Sequence, residues 1–89
     1  MVTNLEAAMA RIKRLECPIS ELTDRVTGIL TDYRVANETE ISITRADALD
    51  RNGAQAYRAT LAGGDKGIVF RAVSGDDDYV AKVTEVKIG

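Results

Sequence analysis

The sequence predicts an α+β domain, an N-terminal helical arm followed by a small, mostly antiparallel four-stranded sheet. Three observations carry this reading. Residues 4–33 place apolar side chains three and four apart, the period of one helical face. Residues 40–88 hold short runs that alternate polar and apolar, or are apolar on both faces. Turn-forming residues separate the later runs by gaps too short for a crossover, so successive strands pair antiparallel.

The helical stripe is Leu5, Ala8, Met9, Ile12, Leu15, Ile19, Leu22, Val26, Ile29, Leu30 and Tyr33. Thr3 or Asn4 suits the cap, because a short side-chain oxygen accepts a free backbone N–H of the first turn. Pro18 interrupts the stretch. It has no N–H to donate, and it pushes Cys17 away from helical angles. The arm is therefore one helix kinked at Pro18, or two helices over about 4–16 and 18–32 with Pro18 in the first turn of the second. The apolar phase does not slip across the proline, which favours a kink or a very tight break. Gly28 weakens the second segment.

Polar Ala36–Thr39 reads as a hinge between arm and sheet. Glu40–Thr44 alternates and reads as a half-buried strand. Thr44 and Asp47 resemble a capping box ahead of a short helical turn that Gly53 would end. Gln55–Leu61 alternates again, with Tyr57, Ala59 and Leu61 on one face. Gly63–Gly67 is a turn. Ile68–Val73 is apolar on both faces apart from Arg71, the mark of a central strand. After the acidic turn Ser74–Asp78, the last strand runs from Tyr79 to Ile88. Its apolar set shifts by one residue between Val83 and Val86, which predicts a β-bulge near Thr84 and Glu85.

At 89 residues the chain is expected to be a single domain, with 4–33 as arm and 40–88 as sheet. With aromatic residues at only 4%, the core must be mainly aliphatic. A net charge of -2 lacks the electrostatic footprint of a nucleic-acid binder, and the basic cluster Arg11, Lys13, Arg14 reads as a solvated helix face. No apolar run approaches the roughly 20 residues that span a bilayer, so no membrane partner is expected. A single cysteine allows no internal disulfide, and the N-terminus reaches acidic Glu6 at once, which does not read as a signal peptide. A cytoplasmic protein is the expectation.

Chemistry is poorly provided for. The chain has no histidine, which removes the commonest general base and metal ligand together with every Ser-His or Cys-His pair. A helix N-terminus at Cys17 would lower its thiol pKa and make it reactive, but with no basic partner evident Cys17 reads as a small buried hydrophobe. Asp76, Asp77 and Asp78 are adjacent rather than alternating, so they do not form a calcium loop. Gly63–Gly67 lacks the spacing of a phosphate loop. The carboxylate pairs Glu38/Glu40 and Asp47/Asp50 carry no sign of burial. No cofactor, metal or catalytic residue is expected.

The arm is the one feature above background. With Leu5 at position a, heptad positions a and d fall on Leu5, Ala8, Ile12, Leu15, Ile19, Leu22, Val26, Ile29 and Tyr33, a coiled-coil periodicity. Apolar Met9 and Leu30 widen that stripe toward what a helix packed on a sheet requires. A straight arm would be about 45 Å long, against a four-stranded sheet only about 15 Å across. Part of the stripe would then stay exposed, which marks an interface. The expected function is a non-enzymatic structural or interaction module. It would oligomerise with itself or dock on another protein through Leu5, Ile12, Leu15, Ile19, Leu22, Val26 and Ile29. A component of a larger assembly, such as a phage or mobile-element particle, is one form such a module takes. The alternative is a small ligand- or peptide-binding domain that uses the sheet face or an edge strand.

Overall fold

The structure, a computed structural model, describes residues 3–61, 67–74 and 79–89. Two helices, α1 (Asn4–Lys13) and α2 (Leu22–Asp32), flank a three-residue strand β1 (Glu16–Pro18). Strands β2 (Ile41–Arg45), β3 (Gln55–Leu61), β4 (Ile68–Ser74) and β5 (Val80–Ile88) follow. All pair antiparallel in one five-stranded sheet of order β1-β5-β4-β3-β2.

The α+β class holds; the arm differs in detail, as two helices separated around Pro18, and the sheet has five strands rather than four. Residues 4–33 are not one helix, and the chain measures 35 Å along its longest axis, too short to carry a straight 30-residue helix. Pro18 acts earlier than expected. Instead of sitting in the first turn of α2, it ends β1 and precedes a single 3-10 turn, Ile19–Glu21. The extended conformation that a following proline imposes on Cys17 is used as a strand, with Cys17 opposite Ala81. The heptad phase across Pro18 is thus carried by two separate helices joined through a sheet strand.

The start of α1 and the end of α2 have local causes. Thr3 caps α1, its Oγ1 accepting from Glu6 N at 3.1 Å. α2 ends with Arg34 in the left-handed region at φ 57. There Val35 N donates to Leu30 O at 2.9 Å and Arg34 N to Thr31 O at 3.0 Å, the paired bonds of a Schellman motif. The expected hinge is ordered structure. Glu38–Glu40 is a 3-10 turn, and Glu40 Oε1 accepts from Asn37 N at 3.0 Å.

The core lies between the helices and one sheet face. Ala8, Ile12, Leu22, Val26 and Leu30 meet Ala59, Ile68, Phe70, Ala72, Ala81 and Val83. β4 is central as predicted, with β3 and β5 on either side. The bulge is where the phase change put it. Arg71 pairs with Glu85 but Ala72 with Val83, so Thr84 is the extra residue. The predicted turns Gly63–Gly67 and Ser74–Asp78, apart from Gly67 and Ser74 themselves, lie outside the described residues, and Asp76–Asp78 with them.

Between β2 and β3 the expected capping box is absent. Ala46, not Thr44, precedes a 3-10 turn at Asp47–Leu49, and no side chain caps it. Gly53 does not end a helix; it closes a tight turn. Arg51 and Ala54 exchange backbone hydrogen bonds at 3.1 and 2.8 Å around Asn52 (φ 51) and Gly53 (φ 82). Two left-handed residues in a row are what a type I′ turn requires, and Asn-Gly suits it best. Among the described residues, no helix is long and apolar enough to cross a membrane.

Candidate interaction surface

The residues expected to form an exposed seam face inward. Ile12, Leu15, Leu22, Val26 and Ile29 are buried in the chain's own core, and Leu5 and Ile19 are half-buried against it. Folding the arm at Pro18 brings α1 over β5 and α2 beside β1, so the stripe is covered within one chain. Cys17 is buried among the same residues, and burial pushes its thiol pKa up. That is the behaviour of a packed hydrophobe, not of an activated nucleophile.

A groove of about 630 Å³ lies beside the end of α2. Its lining is largely polar, including Thr31, Arg34, Asn37, Glu38 and Glu40. A small-molecule site is usually an apolar cleft with a few converging polar groups. This groove has the opposite composition. Of the carboxylate pairs, Glu40 is spent on Asn37, and Asp47 and Asp50 both bind Arg45.

The two edges of the sheet differ sharply. β1 is three residues long and ends in a proline, two devices that stop another strand from adding. β2 has neither. Its five residues, Ile41-Ser42-Ile43-Thr44-Arg45, include no proline, lysine or bulge. Both its ends are held. Asn37 and Glu40 fix the entry. At the exit, Arg45 donates from Nη1 to Asp50 Oδ1 at 3.0 Å and from Nη2 to Oδ2 at 2.9 Å, while Asp50 Oδ1 also accepts from Ala56 N at 2.7 Å. The hydrogen bond to Asp50 raises the Arg45 pKa. The same bond, then that from Ala56 N–H, holds the Asp50 carboxyl below its usual range. The Arg45 guanidinium lies 5.2 Å from the Tyr57 ring centre, and Tyr57 stacks on Phe70 at 5.2 Å with the planes 13° apart.

The direction of the free backbone groups follows from the register. Arg45 lies opposite Tyr57, so Ala46 lies opposite Ala56, and Ala46 N donates to Ala56 O at 2.9 Å. In an antiparallel ladder, groups facing one neighbour recur every second residue. Thr44 and Ser42 therefore point their N–H and C=O groups at β3, and Ile43 and Ile41 point theirs outward. On the helix side this edge is flanked by the half-buried side chains of Ile41, Ile43, Tyr57, Leu61 and Val35. Ser42 and Thr44 are exposed on the opposite face.

Sequence reasoning identified β2 as a strand but not as an edge, because pairing order is not written in its alternation. The chain matches no protein-family model, no curated protein and no solved structure.

Proposed function

We propose that this chain is a non-enzymatic interaction module that recruits an extended polypeptide segment to its β2 edge. The observation that carries the reading is the contrast between the sheet's edges, one blunted by brevity and Pro18, the other open, β-branched and clamped at both ends. A strand added there would satisfy the outward groups of Ile41 and Ile43 and cover the apolar margin around them, the mode of strand addition. Because β2 is already held in strand geometry, little ordering is required of it on binding. The arm supports this role indirectly, by supplying the core on which the sheet rests.

A displayed peptide library, selected on the wild type and on Ile43→Pro, tests the reading. Proline removes one outward donor and no bond to β3, so circular dichroism of the variant should remain native-like. The wild type should enrich extended peptides rich in β-branched residues, and the variant should not. Identical selections from both would overturn the proposal, as would no enrichment by either together with a monomeric wild type.

A further inference from the structure

We infer that the segment the β2 edge is built to receive is β2 of a second copy of this chain, paired antiparallel about a two-fold axis through Ser42. This rests on the edge reading above. Outward-facing groups belong to odd-numbered residues, so two β2 strands can exchange hydrogen bonds only where odd faces odd. Every such register also places both helical layers on the same side of one continuous sheet, with the apolar margins of the two copies adjacent.

Side chains choose among these registers. With Ser42 opposite its own counterpart, Ile41 faces Ile43 of the second copy, and Ile43 faces Ile41, so apolar meets apolar on both sides of the axis. On the other face the small Ser42 side chains meet at the close, non-hydrogen-bonded spacing of about 4.5 Å between Cα atoms. Centring on Ile43 instead would set each Arg45, with its Asp47 and Asp50 partners, against Ile41. The Ser42 register places no like charges opposite each other. Glu40 falls opposite Thr44 of the second copy, and each Arg45 keeps its carboxylates. So short a pairing lies at the small end of stable interfaces, roughly 1,200 Å² in all, and a micromolar dimer is the expected outcome.

Ser42→Cys and Thr44→Cys read the register directly, because both positions are exposed and face away from the helices. Under mild oxidation Ser42→Cys should form a covalent dimer on reaching micromolar concentration. Thr44→Cys should form it at least about tenfold more slowly, because the two Thr44 positions lie four residues apart in this register, roughly 13 Å, beyond disulfide reach. Cys17 is buried and stays out of the reaction. Light scattering on the wild type should show a concentration-dependent dimer, and Ile43→Pro should remain monomeric. A wild type monomeric at high micromolar concentration, or equal cross-linking of the two cysteine variants, overturns self-pairing. If that failure comes with selective peptide enrichment by the wild type, the edge reading stands with a different occupant; without enrichment, both fall. Should Ile43→Pro unfold, the two cysteine variants still decide.

Discussion

Arg71 and Glu85 face each other across β4 and β5 immediately beside the bulge, Arg71 Nη1 donating to Glu85 Oε2 at 2.8 Å. Arg71 is buried on the sheet face away from the helices, and its Nε also donates to the Leu49 carbonyl at 2.9 Å. One cation therefore joins the central strand, the last strand and the 46–54 segment. Arg71→Ala removes the buried cation itself, so its cost is the cavity left behind and the Leu49 carbonyl deprived of its donor. We expect Arg71→Ala to cost about 3 kcal/mol. Glu85→Gln leaves the buried guanidinium without its counter-charge but keeps an acceptor on a half-exposed residue, and should cost about 1–2 kcal/mol. Urea denaturation measures both, and faster amide exchange in 46–54 should accompany the first variant alone.

Acid should weaken the β2 exit clamp. Asp50 has a lowered pKa in the folded chain, so the unfolded chain binds more protons as pH falls through the carboxylate range. The contribution of Asp50 is complete above its unfolded pKa, about 3.9, and is lost as pH falls through the lower folded value. Asp50→Asn should flatten this part of the profile and lower stability near neutrality. Urea midpoints of both proteins, followed from neutral pH into acid, check the sign.

Two substitutions in and after α2 should stabilise. A Cβ on Gly28 would meet nothing within 4 Å, so Gly28→Ala should gain about 1 kcal/mol of helix propensity. Arg34 occupies the left-handed position of the Schellman motif, where Arg34→Gly should gain about 0.5–1 kcal/mol. Melting temperatures of the single and double variants measure these gains. A drop with Gly28→Ala would show that the glycine is used for something other than helix structure.

Thiol labelling should report on the β1 edge. Burial raises the Cys17 pKa, so little reactive thiolate exists in the native state, and access requires β1 to leave β5. Modification by a thiol reagent should be slow in the native state and accelerate with sub-denaturing urea. Rapid native labelling would show that β1 detaches freely.

Much of the fold was legible because its signals are long. The 3.6-residue period marked both helices, and the phase change after Val83 located the bulge at Thr84. Glu16–Pro18 was not legible as a strand. Three residues hold one buried side chain between two exposed ones, which no periodicity test separates from a helix end. Asn52-Gly53 was a readable hairpin signal masked by the apparent cap at Thr44. The open edge was legible only as a strand. Its exposure depends on β1 having taken the opposite edge, a pairing that Cys17 makes with Ala81 from the far end of the chain.

That pairing has a consequence for synthesis. The apolar faces of α1 and α2 find their cover on β4 and β5, which leave the ribosome well after both helices. At roughly 10 residues per second, the helices wait on the order of five seconds before Ala81 and Val83 emerge. Closing so long a loop carries an entropic cost that local contacts cannot repay until β5 arrives. The nascent chain thus spends those seconds with Ile12, Leu22 and Val26 uncovered, and a holding chaperone has its clearest target there, in the half-made protein.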